Sequence, residues 1–272
     1  MEILISGAST GIGRASAIHM ARLDHSVWAG VRTQKSFDEI SRLNVRGLHP
    51  VFLDVCDEAS IVACLRLIGK EAGILHALVN NAGIAVGGPV EGVPLQDWRR
   101  QFEVNLFGQI RVIQAALPML RESKGRIVNL SSISGKVAAP FLGPYAASKY
   151  AFEAVSDSLR RELAPLGVSV SVVEPGPIRT PIWDKGLADI RVDTAETEAV
   201  YGGRVARFMK RLEQNAAAAA PVSVVVETIA EALTSARPRP RYPVGRGISL
   251  AIALTRALPD RWLDRLISSK ST

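Results

Sequence analysis

The sequence has only two cysteines, Cys56 and Cys64, among 272 residues. Two cysteines are too few for a disulfide scaffold and favour a reducing, intracellular compartment. No run of about 18 apolar residues is present, so no membrane-spanning helix is expected, and the chain opens without the basic segment of a secretory signal. With 47% hydrophobic and 22% charged residues, the composition excludes disorder, collagen-like repeats and coiled coil as the main architecture. We therefore expect a globular cytoplasmic protein.

Excess positive charge is confined to the C-terminal segment. The formal net charge is +7, but residues 237–272 alone hold eight Lys or Arg and two Asp, a net charge of +6. The residues before them hold 25 basic and 24 acidic side chains. By charge, the main body is therefore not a nucleic-acid-binding surface, and no nucleic-acid partner is predicted.

Short apolar runs alternate with longer stretches in which apolar residues recur at helical spacing. The predicted strands are Glu2–Ser6, Ser26–Val31, Leu48–Asp54, Ala77–Asn80, Arg126–Ser131 and Val168–Glu174. The predicted helices between them are Gly13–Leu23, Phe37–Leu43, Glu58–Glu71, Leu95–Arg121 and Tyr145–Leu166. Nearly continuous apolar strands are typical of parallel strands covered on both faces. The alternation predicts an α/β fold, a Rossmann-type doubly wound parallel sheet flanked by helices on both faces.

A glycine-rich turn follows the first predicted strand and opens the first helix. It contains, in order, Gly7, Ser9, Thr10, Gly11, Ile12 and Gly13. Gly7 permits a tight turn, Gly11 lets the backbone approach a phosphate, and Gly13 allows close packing of helix and strand. Backbone N–H groups and the helix dipole would then face a pyrophosphate. An ordinary glycine-rich turn is the alternative, but the position directly after the first strand favours phosphate binding.

Two further motifs accompany this turn. Asn80-Asn81-Ala82-Gly83 ends the fourth predicted strand, and Tyr145-Ala-Ala-Ser-Lys149 opens a helix. With these motifs in this order, the sequence resembles the short-chain dehydrogenase/reductase family over about residues 2–181, and its hydroxysteroid and retinol dehydrogenase-like branch in particular. The resemblance implies an enzyme that interconverts a secondary or lipophilic alcohol and its ketone or aldehyde by hydride transfer to or from NAD(P).

The resemblance also implies the domain organisation. We predict one dinucleotide-binding catalytic domain over residues 1–272. A substrate lid is expected at about 181–220, with helix from about Glu196, and a basic extension at about 237–272. Within that extension the patterns predict an extended segment followed by two short helices, Leu250–Leu258 and Asp260–Ile267.

Tyr145 and Lys149 lie four residues apart and would share one face of a helix. A phenol has a pKa of about 10, and a nearby ammonium together with an oxidised nicotinamide favours the phenolate. Tyr145 could then exchange a proton with the reacting oxygen. The resemblance further implies that Ser132 hydrogen-bonds that oxygen and that Asn105 helps to hold a water beside the lysine.

The end of the second strand bears on the choice of cofactor. An acidic residue there normally binds the ribose of NAD, but this chain has Val31 followed by Arg32. Because a guanidinium suits a 2′-phosphate, NADP is favoured over NAD, and a solvated loop arginine is the alternative. The resemblance places further cofactor contacts at the turn residues, Tyr145 and Lys149, and at Asp54, Val55, Asn81, Ala82, Gly83, Pro175, Gly176, Ile178 and Thr180.

Apolar residues near Tyr145 indicate a lipophilic alcohol or ketone as substrate. They are Val137, Phe141 and Leu142 and, in the predicted lid, Trp183, Leu187, Ile190, Val200, Tyr201, Val205 and Phe208. The histidines and cysteines lack metal-ligand spacing, so no metal site is predicted. Two other functions stay open: a 3-oxoacyl-thioester reductase of fatty-acid metabolism, and a dinucleotide-sensing regulator without turnover.

The resemblance implies a homodimer or homotetramer formed through the helices near 98–121 and 146–165. The C-terminal extension carries an apolar stripe of Trp262, Leu263, Leu266 and Ile267 beside basic residues. Packing of this helix on the sheet or on another subunit is favoured. Peripheral contact with an anionic membrane is the alternative interpretation.

Overall fold

The computed structural model describes residues 1–180, 195–217 and 219–268. Its strands are β1 (Glu2–Ile5), β2 (Ser26–Val31), β3 (Leu48–Phe52), β4 (Ala77–Asn80), β5 (Arg126–Leu130), β6 (Ser169–Pro175) and β7 (Arg241–Val244). They form one parallel sheet in the order β3-β2-β1-β4-β5-β6-β7. The order reverses between β1 and β4, and ligands of such sheets bind at the carboxyl ends of the strands at this point.

Helices cover both faces of the sheet. They are α1 (Gly11–Arg22), α2 (Gln34–Ser41), α3 (Glu58–Glu71), α4 (Leu95–Phe102), α5 (Gly108–Glu122), α6 (Gly143–Leu163), α7 (Ala195–Ala217), α8 (Val222–Thr234), α9 (Ile248–Ala257) and α10 (Asp260–Ser268). Buried residues of α1, α2 and α8 form one core layer, and those of α3, α5 and α6 form the other. The predicted α/β, doubly wound arrangement is confirmed.

Strand residues alternate between the two layers. Ile3 and Ile5 face the layer of α1 and α8, whereas Leu4 faces the layer of α3 and α5. Both sets are fully buried, which is why the strands read as continuous apolar runs. Each such side chain stabilises the fold by about 1.5–3 kcal/mol. The register aligns Ile5 with Ala29 and with Val79, so the segments that follow β1, β2 and β4 meet at one edge.

The segment predicted as one α-helix over 95–121 is interrupted. A π-helical turn, Glu103–Phe107, joins α4 to α5. The turn contains Asn105, whose side chain accepts a hydrogen bond from the Ile84 N–H and donates one to the Ile84 carbonyl, both at 2.9 Å. Such turns are frequent at functional sites. The prediction of an uninterrupted α-helix was therefore wrong at this position. The spacing of apolar residues does not show that Asn105 bonds the backbone of a residue 21 positions away.

The C-terminal extension is built into the fold. Its extended segment is β7, which pairs with β6, and the two short helices are α9 and α10. Arg241 of β7 contacts the carboxylates of Glu153, Asp157 and Glu174, so its charge is not part of a solvated basic tail. On α10, Trp262 and Leu266 are exposed. Among the described residues, none of the helices combines the length and hydropathy needed to cross a bilayer.

Candidate active site

A cavity of about 510 Å³ opens at the carboxyl ends of the strands, where their order reverses. Its walls come from the segments that follow β1 to β6 and from α4, the π-helical turn and α6. Every predicted site residue lies in this lining except Gly13 and Asp54. The structure thus brings together residues that are up to 173 positions apart in the sequence, from Gly7 to Thr180.

The glycine turn has the backbone geometry that its sequence requires. Gly7 and Gly11 adopt φ values of +65° and +57°, a region that other residues rarely enter. A Cβ on Gly13 would lie 2.4 Å from the Asn81 side-chain nitrogen and 2.5 Å from the Gly7 oxygen. Gly13 therefore permits close packing and does not line the cavity. Gly11 and Ile12, at the N-terminus of α1, face the cavity, where a helix end favours an anionic group.

Ser6 and Asn81 hold the glycine turn against the end of β4. The Ser6 hydroxyl accepts hydrogen bonds from the Asn81 and Ala82 N–H groups, both at 3.0 Å. In return, the Asn81 side chain donates to the carbonyls of Ser6 and Gly7, at 2.9 and 3.0 Å. This fixes the two loops that meet at the switch point before any ligand binds. Ser6 was not among the predicted site residues, because the hydrogen-bond partners of its hydroxyl lie 73 or more residues away in the sequence.

Three amide side chains on one helical face support the segment after β4. They are Gln101, Asn105 and Gln109, spaced four residues apart and fully or almost fully buried. The Gln101 side chain accepts from the Val86 N–H at 2.7 Å and donates to the Ile84 carbonyl at 3.0 Å, and that of Gln109 donates to the Ala82 carbonyl. Sequence reasoning missed both glutamines, although polar residues at helical spacing on a buried face were a usable signal.

Ser132, Tyr145 and Lys149 meet at the carboxyl end of β5. The Tyr145 and Ser132 side chains are hydrogen-bonded, and the Ser132 hydroxyl accepts from the Ser134 N–H at 3.1 Å. The Lys149 ammonium lies 5.9 Å from the centroid of the Tyr145 ring and donates to the Leu130 carbonyl at 2.7 Å. Tyr145 and Lys149 share one face of α6, as predicted, and both are almost fully buried.

Burial dominates the electrostatics of this pair. It raises the pKa of the Tyr145 phenol, and the hydrogen bond with Ser132 lowers it only in part. It also lowers the pKa of Lys149 to about 8, against the effect of the Glu153 carboxylate, which raises it. The spacing of Tyr145 and Lys149 predicts a lowered pKa for the phenol. In the chain alone the pKa of the phenol is raised, because the desolvation of the phenolate outweighs the hydrogen bond with Ser132.

The end of β2 forms the other half of the cavity. Val31 is buried, and the exposed Arg32 lines the cavity with Thr33 and Ser36. The described lining residues include three cations, Arg32, Arg100 and Lys149, and no carboxylate. This arrangement suits a ligand with several phosphate charges.

Asp54 departs from its predicted place in the site. It lies two residues beyond β3 and outside the lining, whereas its neighbours Leu53 and Val55 line the cavity. Its carboxylate accepts a hydrogen bond from the Cys56 N–H at 2.9 Å, and its own N–H donates to the Ser60 hydroxyl at 2.9 Å. Asp54 therefore shapes the loop into α3, and the cavity wall at this point is apolar.

Apolar residues gather beside the N-terminus of α6. Phe141, Leu142, Val205 and Phe208 form a buried cluster, in which the Phe141 and Phe208 ring centroids are 5.4 Å apart. Tyr201 packs against this cluster and donates a hydrogen bond to Glu91 at 2.8 Å, whereas Val200 is exposed. The predicted lid residues Trp183, Leu187 and Ile190 lie outside the described residues. The helical part of the predicted lid, α7, thus contacts the loop that leads into α6.

The cavity fits a dinucleotide. Its glycine turn presents the N-terminus of α1, its lining is cationic, and any side chain at Gly7 would lie 2.7 Å from the Ala82 backbone. Together the fold and this site define a nicotinamide dinucleotide-dependent oxidoreductase that acts on CH–OH groups. A family model described as short chain dehydrogenase matches residues 2–190. The chain therefore belongs to the short-chain dehydrogenase family, as the sequence motifs predicted.

Characterised relatives cover nearly the whole chain. An NADPH-dependent 3-dehydrocapnine reductase of Ornithobacterium rhinotracheale is 33% identical over 270 residues, 97% of this chain and 94% of the relative. Retinol dehydrogenase 16 of Mus musculus is 35% identical over 283 residues, 97% of this chain and 87% of the relative. A crystal structure of a short-chain dehydrogenase from Streptomyces avermitilis matches with a TM-score of 0.81 and 26% identity, over 100% of this chain and 97% of that one. The likeness to the retinol dehydrogenase branch is confirmed.

Proposed function

We propose that this chain transfers a hydride between NADP(H) and a lipophilic secondary alcohol or ketone, with Tyr145 as the acid and base. The observation that carries the proposal is the buried grouping of Tyr145, Ser132 and Lys149 in one cavity with the glycine turn. The apolar cluster around Phe141 and Phe208 includes the residues that directly precede α6, the helix that carries Tyr145. A reacting carbon in this corner would have a proton donor on one side and an apolar wall nearby.

Tyr145 moves the proton in the proposed reaction. In the reducing direction its hydroxyl donates a proton to the substrate oxygen, and in the oxidising direction its phenolate accepts the alcohol proton. The Ser132 hydroxyl donates a hydrogen bond to the same oxygen and stabilises the charge that develops there. A bound nicotinamide would supply the hydride donor or acceptor, and in its oxidised form it would add a positive charge to the site.

Lys149 supplies the permanent charge for this step. Its ammonium, held by the Leu130 carbonyl at 2.7 Å, favours the phenolate over the phenol. Since burial raises the pKa of Tyr145 in the chain alone, a phenolate at neutral pH needs both the ammonium and the charge of the cofactor. The same ammonium is well placed to donate to a ribose hydroxyl of the dinucleotide, because Lys149 lines the cavity.

Asn105 takes a supporting role in this proposal. Its side-chain oxygen and nitrogen bond the backbone of Ile84, and the nitrogen also lies 3.4 Å from the Ser148 hydroxyl. These bonds tie the π-helical turn both to the segment after β4 and to α6. We propose that Asn105 fixes the floor of the cavity; a water beside Lys149 stays a prediction.

NADP is the proposed cofactor. Arg32 directly follows Val31, which occupies the place where NAD-binding folds carry a carboxylate, and Thr33 and Ser36 add hydroxyls to the same wall. No carboxylate among the described lining residues opposes a 2′-phosphate. The relative from Ornithobacterium rhinotracheale is named for NADPH, which supports the same preference.

The test is a screen of oxidation and reduction with both dinucleotides. Apolar alcohols and ketones of the steroid and retinoid type form one arm, 3-oxoacyl thioesters a second, and sugars a third. We expect NADP(H)-dependent turnover in the first arm. Tyr145→Phe should lose turnover by at least about 100-fold and keep dinucleotide binding. Near-normal rates in this variant would refute the role of Tyr145, and binding without turnover in every arm would favour the dinucleotide-sensing alternative.

The assembly and the location of the protein stay predictions. A homodimer or homotetramer follows from the family resemblance, and size-exclusion chromatography with light scattering measures it. The exposed Trp262 and Leu266 of α10 are available for contact with a second subunit or with an anionic membrane. Sedimentation with anionic vesicles, with and without a Trp262→Ser substitution, separates these two outcomes.

A further inference from the structure

A buried ionic cluster lies next to Lys149. We define this ionic cluster as Lys136, Glu153, Asp157, Glu174 and Arg241. The residues come from four elements: the loop after β5, helix α6, strand β6 and strand β7. Both Glu153 and Glu174 are almost fully buried. Charges buried to this extent are costly unless they are paired, so their arrangement needs an explanation beyond chance.

Glu153 is the centre of the ionic cluster. Its Oε2 lies 2.8 Å from the Lys136 ammonium and 3.0 Å from Nη2 of Arg241. The Nε of Arg241 lies 3.1 Å from Glu174 Oε1, and its Nη2 lies 3.0 Å from Asp157 Oδ1. Two cations thus hold one oxygen of Glu153 in place, and the same two cations also contact Glu174.

Glu153 also lies on the catalytic face of α6. It follows Lys149 by four residues, one helical turn, so the two side chains are neighbours along the helix. Its second oxygen, Oε1, is buried and has no hydrogen-bond partner among the described residues. The negative charge of a carboxylate that is fixed through one oxygen and buried at the other acts strongly on nearby groups, because water does not screen it.

The other charged groups of the ionic cluster do not duplicate this effect. Lys136 and Arg241 are bound to carboxylates, and Asp157 lies further along α6, where Arg160 also contacts it. Glu174 faces Glu153 across the two cations, and burial together with Glu153 raises the pKa of its carboxyl. Glu153 is the carboxylate whose charge raises the pKa of Lys149, against the larger lowering effect of burial.

We propose that Glu153 is a positioning residue for proton transfer: its carboxylate, fixed by Lys136 and Arg241, keeps Lys149 charged beside Tyr145. This rests on the proposed function of Tyr145 and Lys149. Without the carboxylate, burial alone would favour neutral Lys149, and the phenol would lose the ammonium that stabilises its ionised form. The pair would then release its first proton at a lower pH than in the native chain, because a neighbouring negative charge has been removed.

The test compares Glu153→Gln with Glu174→Gln. Both substitutions remove one buried carboxylate from contact with Lys136 and Arg241, so a loss of packing or stability is common to both. Only Glu153 lies one helical turn from Lys149. We expect Glu153→Gln to move the alkaline limb of kcat/KM for ketone reduction down by about one pH unit, and Glu174→Gln to leave it near the native position. In Glu153→Asp, which keeps the charge, the alkaline limb should stay close to its native position.

A second measurement does not depend on turnover. Ultraviolet difference titration of each variant against the same variant with Tyr145→Phe reports the ionisation of the Tyr145 phenol directly. We expect the phenolate signal to appear at higher pH in Glu153→Gln than in the native chain or Glu174→Gln, because a neutral Lys149 no longer stabilises the ionised phenol. Equal shifts in the two glutamine variants, or no shift in either, would overturn the proposal. If the native chain transfers no hydride at all, the proposed function fails, and the titration still decides the role of Glu153.

Discussion

The Lys149 ammonium donates a hydrogen bond of 2.7 Å to the backbone carbonyl of Leu130. This bond joins the middle of α6 to the last residue of β5 and holds a buried charge beside the Tyr145 ring. A lysine in this setting is a cost to the fold, because burial lowers its pKa to about 8. The Lys149 side chain therefore lowers the stability of the fold, although its charge is needed for activity. Such a conflict is often seen at active sites.

Replacement of Lys149 by methionine should abolish turnover and stabilise the protein. A lowered pKa means that the folded state disfavours the protonated amine, so the cost is fully present below about pH 8 and disappears as the pH rises toward the ordinary value of 10.5. Allowing for the lost hydrogen bond, we expect the free energy of unfolding to rise by about 2 kcal/mol at pH 7. Urea unfolding at pH 7 and at high pH measures it. A variant less stable than the native chain at pH 7 would contradict the burial argument.

Arg32→Ala should change the choice of dinucleotide. The guanidinium lies in the cavity wall at the end of β2, where it would bind the 2′-phosphate of NADP. We expect the Kd for NADPH to rise by about 10- to 100-fold, as for the loss of a charge-assisted contact of about 1.5–3 kcal/mol, with little change for NADH. Fluorescence titration with both nucleotides measures this. An equal loss of affinity for NADPH and NADH would indicate that Arg32 contacts the pyrophosphate, which both nucleotides have.

Gly13→Ala should prevent the close packing of α1. Its Cβ would meet the Asn81 side chain at 2.4 Å and the Gly7 backbone oxygen at 2.5 Å, and the backbone atom has no room to move. We expect a loss of about 1–3 kcal/mol in unfolding free energy and weaker dinucleotide binding. Gly69→Ala is the matched control, since a Cβ at that helical glycine meets nothing within 4 Å. This control should be neutral or stabilise the protein by up to about 1 kcal/mol.

Gln101→Leu should destabilise the segment after β4. The substitution leaves the Val86 N–H and the Ile84 carbonyl without their glutamine partner, in a place where Gln101 itself is fully buried. We expect a loss of about 2–4 kcal/mol in the free energy of unfolding. Gln96→Leu, an exposed position of the same helix, should stay within about 0.5 kcal/mol of the native value. Similar effects at both positions would mean that the hydrogen bonds of the Gln101 side chain contribute little to the stability of the fold.

The layered fold and the motif residues could be predicted from the sequence because their signals are local. Alternating strand and helix periods place Ile5 and Leu4 in opposite layers, and the spacing of Tyr145 and Lys149 already puts them on one helical face. The π-helical turn at Asn105 and the position of Asp54 could not be predicted. Both depend on a backbone partner, such as Ile84, whose place is set by the tertiary fold.

The ionic cluster could be predicted from the sequence even less. Glu153 and Glu174 read as ordinary charges in amphipathic segments, and Arg241 reads as one more basic residue of a charged tail. Their meeting depends on β7 joining the sheet beside β6. Charge counts along a sequence therefore overstated how much of the C-terminal extension faces solvent.

Arg241 is the last member of the ionic cluster to be synthesised. Helix α6 and strand β6 emerge from the ribosome well before β7, and until Arg241 follows them, Glu153 and Glu174 have Lys136 as their cationic partner in the ionic cluster. A polypeptide shortened upstream of β7 would contain the glycine turn and the tyrosine, yet its buried carboxylates would be short of a counter-charge. The charges around Glu153 are thus balanced only once the last strand has joined the sheet.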